Sequence, residues 1–307
     1  MQTLKPVVIV NPRSGGGLSD RRWAALVAPL TDGLGPFDTR FTERRGDGKR
    51  LAEEEANAGR TLVVAFGGDG TISKVVDGLV AAGRDTQLGL IPRGTGGDFR
   101  RSVCLPDKIL EAARHIQATP ARRIDVGRAT FVGEGGQPTS RCFVNVASFG
   151  FSADVASRAN RSSKKLGARL SFLGATMSSL VRYENVEVMI RVDGGEARRH
   201  TVLLGAIGNG CFFGGGMKIC PNGSLEDGIL DLVVVGDLGR LGVITKIGSL
   251  YEGTHIHLEQ VSSVKARKVQ VEPVNGSAPI PIELDGETPG HLPATFEVLP
   301  GVLPLRF

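Results

Sequence analysis

Three short apolar runs in the first hundred residues each lead directly into a glycine-rich loop, and this repeat constrains the fold most. The runs are rich in β-branched residues and predict strands. They lie at Pro6–Val10, Thr61–Phe66 and Leu88–Ile91. Apolar residues at helical spacing separate them; the predicted helices cover Arg21–Leu30, Lys49–Ala58 and a stretch after Asp69 with Ile72, Val75, Val76, Leu79 and Val80. This alternation is typical of an α/β domain in which crossover helices join the strands of one sheet.

The second half of the chain changes to strands and turns from about Arg141 onward. The predicted strands are Phe143–Ala147, Val186–Val192, Thr201–Ile207, Ile229–Val235, Val261–Val271, Ile280–Leu284 and Ala294–Val298. One helical stretch from about Lys164 to Tyr183 interrupts them, and Asp193-Gly194 is typical of a hairpin turn. We predict an α/β domain of residues 1–132, which residues 295–307 can rejoin, and a mostly antiparallel β domain of residues 133–294, with Gly133–Ser140 as a flexible join.

Composition narrows the class of protein and its compartment. With 41% hydrophobic and 22% charged residues the chain is globular, and no apolar run reaches the roughly 18 residues of a membrane-spanning helix. The four cysteines form no C-x-x-C pair, and His255 and His257 are expected on one face of a strand rather than in a zinc site. We expect a cytoplasmic protein.

The formal net charge of +5 favours approach to anions such as nucleotides, nucleic acid or an acidic membrane leaflet. Aromatic residues make up only 5% of the chain, and none alternate with basic residues as in single-strand binding platforms. We therefore expect no nucleic-acid partner. The sequence does not indicate an oligomeric state, and a homodimer is one of the alternatives.

The loop Gly67-Gly68-Asp69-Gly70-Thr71 carries the clearest chemistry, because it connects a strand to the start of a helix. Free backbone N–H groups and the positive end of the helix dipole attract an anion there. A carboxylate in such a cradle repels phosphate unless a divalent cation lies between them, so Asp69 favours a magnesium-bound nucleotide. The alternative is a tight glycine turn capped by Asp69 or Thr71.

Two further loops follow the other strands in the same way, at Asn11–Gly17 and Pro92–Phe99. Loops that leave neighbouring strands at their carboxyl ends can converge on one ligand. Neither the P-loop pattern nor G-x-G-x-x-G occurs in the three loops, so a different phosphate-binding fold is expected.

These loops belong to an ordered series of motifs. The motifs are Val-Asn-Pro-Arg-Ser-Gly at 10–15, Gly-Gly-Asp-Gly-Thr-Ile at 67–72, Pro-Arg-Gly-Thr at 92–95 with Asp98-Phe99, Asp125-Val-Gly, Phe149-Gly-Phe, Asp227-Gly-Ile-Leu-Asp231 and Asp285-Gly-Glu287. In this order the sequence resembles the diacylglycerol kinase catalytic family, which includes bacterial lipid kinases and the sphingosine and ceramide kinases. The fold it implies is a Rossmann-like, three-layer α/β nucleotide-binding domain of the NAD kinase/diacylglycerol kinase type, followed by a mostly antiparallel β-sandwich domain for the lipid substrate.

The resemblance also implies ATP and Mg²⁺ as cofactors and assigns roles to individual residues. The catalytic residues would be Glu287, as the base, and Asp69. The nucleotide would contact Asn11, Ser14, Thr42, Gly67, Gly68, Asp69, Gly70, Thr71, Gly94 and Thr95. Asp69 and Asp125 would assist one magnesium ion, and Asp227 would hold a second, structural one with backbone groups of Ser224 and Ile229. The family usually has Ala-Asn where this chain has Gly96-Gly97, which puts nucleotide affinity or base preference in question.

The resemblance makes a lipid kinase the first reading, with diacylglycerol to phosphatidic acid as the expected reaction. A carboxylate such as Glu287 can accept the proton of a lipid hydroxyl, although Asp285-Gly286-Glu287 alone is also a plain hairpin turn. The basic, amphipathic segment from Arg158 to Leu173 can rest on an anionic membrane or pack as an ordinary helix. Two alternatives stay open: an NAD kinase-like enzyme with a soluble substrate, and a catalytically silent lipid- or nucleotide-binding regulator.

Overall fold

The structure, a computed structural model, describes residues 4–94, 96–151, 153, 184–274 and 278–307. The chain forms two compact units, Met1–Ile124 with Gly301–Phe307 and Asp125–Pro300, called unit 1 and unit 2 below. Thr95, the predicted helix Lys164–Tyr183 and the whole basic segment from Arg158 to Leu173 lie outside the described residues.

Unit 1 is a parallel sheet with helices on both faces. Its elements are β1 Val7–Val10, α1 Asp20–Leu34, β2 Asp38–Phe41, α2 Asp47–Asn57, β3 Leu62–Gly67, α3 Asp69–Ala82, β4 Gln87–Pro92, α4 Asp98–Ser102 and α5 Ile109–Ala118. The strand order is β2-β1-β3-β4, all parallel, and near the C-terminus Leu305 pairs with Leu88 of β4. The strands and helices predicted for this half are confirmed, with ends shifted by a few residues.

The alternation of side chains along the strands explains why both faces are covered. Val8 and Val10 of β1 join Phe66 of β3 and Trp23 of α1 in one apolar cluster, to which α5 also contributes. The Trp23 and Phe66 rings meet edge to face with centroids 5.4 Å apart. Helices α2 and α3 pack on each other and on β1 and β3. Strands buried on both faces read as continuous apolar runs, as β1, β3 and β4 do.

In the part of unit 2 that the structure describes, the chain forms a β-sandwich with one long helix. Its elements are β5 Ala121–Gly133, which begins in unit 1, β6 Pro138–Phe143, β7 Val146–Gly150, β8 Val186–Val192, β9 Arg198–Val202, β10 Leu204–Gly208, β11 Leu230–Val235, α6 Gly239–Glu252, β12 Val261–Ala266, β13 Lys268–Pro273, β14 Pro281–Leu284 and β15 Glu287–Arg306, which ends in unit 1. One sheet has the order β12-β11-β10-β7-β14-β15 and the other β9-β8-β13-β15-β5-β6. Large buried side chains such as Phe143, Phe149 and Phe296 form the core. The predicted α/β domain followed by a β-sandwich is confirmed.

Several details of the β half were predicted wrongly. Three segments read as single strands are each two strands, because the chain breaks at Val144-Asn145, Leu203 and Arg267. The predicted join Gly133–Ser140 instead lies within unit 2, where residues 134–137 form the turn of the β5–β6 hairpin and the others belong to its two strands. His255 and His257 lie in a 3-10 helix, Thr254–His257, and His255 is buried. The hairpin at Asp193-Gly194 is confirmed: both residues have positive φ between β8 and β9.

Within the described parts of the chain, no helix combines the length and apolar character that crossing a membrane requires.

Candidate active site

The carboxyl edge of the unit 1 sheet collects the predicted nucleotide-binding residues. Asn11, Thr42, Gly68 and Gly94 each follow one of the parallel strands. Because β1 pairs with β2 on one side and β3 on the other, successive connections diverge between β1 and β3, and open α/β sheets bind ligands outside this point. The Thr42 amide donates to the Val10 carbonyl (2.9 Å), which fixes it at the same edge.

A side-chain hydrogen bond joins the glycine-rich loop 11–17 to the loop 67–71. The Asn11 amide Nδ2 donates to Thr71 Oγ1 (2.9 Å), and the Ser14 hydroxyl donates to the Asn11 carbonyl (2.8 Å). Thr71 lies in the first turn of α3, whose leading N–H groups have no partner within the helix. These polar groups and the start of α3 form a site suited to an anion.

Loops 67–71 and 92–97 approach so closely that only glycine fits. A Cβ atom on Gly94 would lie 2.7 Å from the Gly68 Cα, and one on Gly67 would lie 2.6 Å from Thr71. Backbone rather than side chains therefore lines this part of the edge, as phosphate cradles require. The sequence placed glycines in both loops but gave no sign that they touch.

The Asp69 carboxylate ties these two loops together. Oδ2 accepts from the Gly97 amide (2.9 Å) and Oδ1 accepts from the Phe99 amide (3.2 Å). Gly96 packs over the carboxylate, since a Cβ there would be 2.8 Å from Oδ2. Each oxygen of an ionised carboxylate has a second lone pair, so the donor set still fits a magnesium ion. The metal-binding role of Asp69 remains a prediction.

Arg93 joins loop 92–97 to loop 11–17 by hydrogen bonds, a role that the sequence did not indicate. Its guanidinium donates to the carbonyls of Ser14 and of Gly17, the latter at 2.6 Å. Partial burial and then the nearby charge of Arg22 lower the pKa of Arg93. Like charges held this close favour an anionic ligand between the loops.

Glu287, the predicted base, follows a tight hairpin turn in unit 2. Asp285 (φ 47°) and Gly286 (φ 87°) form the turn between β14 and β15, and Leu284 pairs with Glu287. Glu287 is half-buried, and Arg141 donates to its carboxylate at 3.4 Å. The motif Asp285-Gly286-Glu287 thus forms the hairpin turn that its residues predict. The structure also shows a contact with Arg141, which sequence reasoning missed because Arg141 lies in no motif.

Asp125 is buried beside the predicted structural-metal loop of unit 2. Only 3% of Asp125 is exposed; its Oδ2 accepts from the Gly228 amide (2.6 Å) and its own amide donates to the Leu225 carbonyl (2.6 Å). In the same loop the Ser224 hydroxyl accepts from the Glu226 amide (3.4 Å). The structure thus brings Asp125 together with the residues around Asp227, while Asp69 belongs to unit 1.

Lysine occupies the position predicted for the structural magnesium. The Lys265 Nζ lies 2.7 Å from Asp227 Oδ2 and 4.0 Å from Asp231 Oδ2, and the Ile229 amide donates to Asp227 Oδ1 (3.2 Å). The hydrogen bond to Asp227 raises the pKa of Lys265, which keeps the ammonium charged. The positive charge of Lys265 thus takes the place of a cation beside Asp227, so these residues do not fit a divalent ion while Lys265 stays. Among the residues that the structure describes, no three His, Cys, Asp or Glu side chains form a metal cluster.

Comparisons with known proteins agree with this architecture. The family model described as "Diacylglycerol kinase catalytic domain" matches residues 5–129, and the one described as "YegS C-terminal NAD kinase beta sandwich-like domain" matches residues 145–307. A solved structure described as a putative diacylglycerol kinase from Bacillus anthracis str. Sterne superposes with a TM-score of 0.77 at 28% identity, covering 100% of this chain and 98% of that one.

Curated relatives match over most of their length as well. A "Probable lipid kinase YegS-like" of Chromohalobacter salexigens is 33% identical over 86% of this chain and 81% of its own. A "Diacylglycerol kinase" of Mycobacterium tuberculosis is 30% identical over 97% of this chain and 94% of its own. With both parts of the chain matched in order, the protein belongs to the diacylglycerol kinase family of lipid kinases.

Proposed function

We propose that the protein transfers the γ-phosphoryl group of ATP, bound with Mg²⁺, to the hydroxyl of a lipid, with diacylglycerol to phosphatidic acid as the first candidate. The observation that carries this proposal is the joined set of glycine loops at the carboxyl edge of unit 1. Asp69, Arg93 and Asn11 each bridge two of these loops, so their backbone N–H groups are held in one arrangement before a ligand arrives. Such preorganised donors are what phosphoryl transfer needs.

The residues of each unit have distinct tasks in this reaction. The loops of unit 1 bind and orient the triphosphate, and a magnesium ion, when bound, neutralises phosphate charge. Glu287 accepts the proton of the lipid hydroxyl, for which it must be ionised. The Arg141 guanidinium donates to the Glu287 carboxylate at 3.4 Å and so favours one orientation of it.

The lipid would be met at a membrane surface. The formal net charge of +5 supports contact with an anionic leaflet, each basic residue close to the surface contributing about 1 kcal/mol. We propose peripheral contact with the inner face of the cytoplasmic membrane, without nucleic acid as a partner.

The test is a phosphorylation assay with labelled ATP and either diacylglycerol micelles or NAD as acceptor. The proposal expects label in phosphatidic acid and none in NADP, and Glu287→Gln should lower the rate about 10²- to 10⁴-fold. Val269→Ala, a core change in β13, should leave the rate near wild type at a temperature below its unfolding transition. Label in NADP would favour the NAD kinase-like alternative. ATP binding without turnover on any lipid in a total extract would favour a silent regulator.

A further inference from the structure

We propose that Asn209 is a positioning residue that fixes the Glu287 turn relative to Asp125. Asn209 follows β10 and lies in none of the motifs on which the family resemblance depends. The inference rests on the proposed function of Glu287 as the base. It concerns unit 2 alone, since all the residues involved lie between Asp125 and Pro300.

Asn209 is fully buried and connects three segments of the chain. Its Nδ2 donates to the carbonyls of Asp125 (2.9 Å) and Val144 (2.8 Å), and its backbone amide donates to the Asn145 carbonyl (2.9 Å). The exposed fraction of the residue is 0%, so water does not compete for these bonds. One side chain therefore sets the spacing between the start of unit 2 and the break that separates β6 from β7.

The same break holds the turn that carries Glu287. The amides of Val144 and Asn145 donate to the Asp285 carboxylate at 2.9 and 3.0 Å. Asp285 precedes Glu287 by two residues, and the turn between them has positive φ at both positions, which leaves little freedom. Residues 144–145 thus form hydrogen bonds on two sides: their carbonyls accept from Asn209, and their amides donate to Asp285.

Asp125 completes the connection on the other side of Asn209. Its carbonyl accepts from Asn209, and its carboxylate accepts from the Gly228 amide at 2.6 Å. A continuous path of hydrogen bonds therefore runs from the loop of Asp227-Gly228 through Asp125 and Asn209 to the Glu287 turn.

The remaining amide atom shows which property of Asn209 matters. Oδ1 is buried and has no hydrogen-bond partner among the described residues. Rotating the amide by half a turn would point this oxygen at two carbonyl oxygens, so the observed orientation is the favourable one. An unpaired buried acceptor is costly, which indicates that the two donor hydrogens are the reason for asparagine at this position.

A double-mutant cycle in the purified full-length protein tests the role. Asn209→Ala is made in the wild-type and in the Glu287→Gln background, and kcat and KM for ATP are measured with labelled ATP and the lipid acceptor. Because a misplacement of about 1 Å can cost on the order of 10²-fold, we expect kcat to fall by roughly that factor in the wild-type background. The ATP-binding loops lie in unit 1, so KM for ATP should change less than about twofold.

The effect of Asn209→Ala in the Glu287→Gln background shows whether Asn209 acts through Glu287. If it positions Glu287, then Asn209→Ala should cost less than about threefold once Glu287 is already Gln, since groups that act as a unit are not additive. A full additional 10²-fold loss in that background would overturn the proposal. An unchanged rate for Glu287→Gln alone would instead refute the proposed role of Glu287 as the base, and with it the positioning role of Asn209.

Controls separate positioning from loss of folding. Val269→Ala lowers stability without touching the network, so it should leave kcat unchanged in both backgrounds. Asn209→Ser retains one donor hydrogen and should recover part of kcat; it also replaces Asn209→Ala in the cycle should the latter fail to unfold cooperatively. Equal rates for the serine and alanine variants would contradict a role for the donor hydrogens.

Discussion

Gly94→Ala is the most direct perturbation of the contact between loops 67–71 and 92–97. The new Cβ would lie 2.7 Å from the Gly68 Cα, and both atoms belong to backbone or are fixed to it, so no side-chain rotation relieves the clash. Carbon atoms prefer separations of about 3.5–4.0 Å, which requires the loops to part by roughly 1 Å. Gly94 does not have positive φ, so the effect is purely steric.

The magnitude follows from the cost of overpacking. Forcing an extra methyl into a packed site costs about 1–3 kcal/mol, which corresponds to roughly 2–12 °C in the thermal midpoint of a domain of this size. Separation of the phosphate-binding amides by about 1 Å should also lower kcat/KM for ATP by about 10²-fold.

Gly68→Ala is the matched control for this effect. Its Cβ would lie 3.4 Å from the Gly94 Cα, an ordinary contact, and Gly68 has φ −91°, which alanine adopts readily. In scanning calorimetry without nucleotide, we expect the Gly94→Ala midpoint to fall, whereas the free energy of unfolding of Gly68→Ala should stay within about 0.5 kcal/mol of wild type. Equal midpoints for Gly94→Ala and wild type would refute the close approach of the two loops.

Three further predictions concern single side chains. Arg93→Lys replaces a planar fork by one point charge that cannot bridge two carbonyls, so KM for ATP should rise about tenfold in steady-state kinetics, and an unchanged KM would contradict the bridging role. Without nucleotide, the wild-type thermal midpoint should be the same in EDTA and in Mg²⁺, whereas Lys265→Met should become more stable with Mg²⁺ because no ammonium group then balances the charge of Asp227; a wild-type midpoint that falls in EDTA would contradict the exclusion of a divalent ion by Lys265. Burial lowers the pKa of His255, so the unfolded chain binds a proton that the folded chain excludes; stability should fall below about pH 6.5, and less in His255→Gln, in denaturant titrations at two pH values.

The sequence predicted unit 1 well because its signals are local. Buried parallel strands appear as continuous apolar runs, and each predicted strand there lies within about a residue of an observed one. The strand breaks in unit 2 depend on distant residues instead. Asp193 accepts from the amides of Arg267 and Lys268 at 2.9 and 2.7 Å, and Asp285 accepts from the amides at Val144-Asn145. No window of neighbouring residues contains these partners.

Helix α6, Gly239–Glu252, escaped prediction for a related reason. It contains Gly242 and Gly248 and several β-branched residues, all of which lower helix propensity. Its packing on the β10–β11 side of the sandwich overrides that preference, as Val243, Leu250 and Tyr251 join an apolar cluster with strand residues. The C-terminal cap Gly253, at φ 77°, was the one local signal available.

The glycine loops of the site could be located from the sequence, but the contacts that hold them could not. Motif spacing indicated which loops leave the sheet at one edge, since parallel strands share that edge. Arg93 and Asn209 act through backbone carbonyls, which every residue possesses and which no motif records. The ammonium at Asp227 depends on the register that places Lys265 opposite Asp231, which only the folded sheet defines.

Acidic residues of the Asp-Gly motifs serve as acceptors for the backbone of a second loop in both units, and this changes how their variants must be interpreted. Asp69 accepts from Gly97 and Phe99 as Asp285 accepts from residues 144–146. In Asp69→Asn one oxygen becomes an amide nitrogen that faces an N–H donor, so the loops should shift even without metal. Loss of turnover in that variant therefore cannot by itself identify a magnesium ligand. ATP binding measured in EDTA separates the two roles: a loop role predicts weaker binding there, and a purely metal-binding role predicts no change.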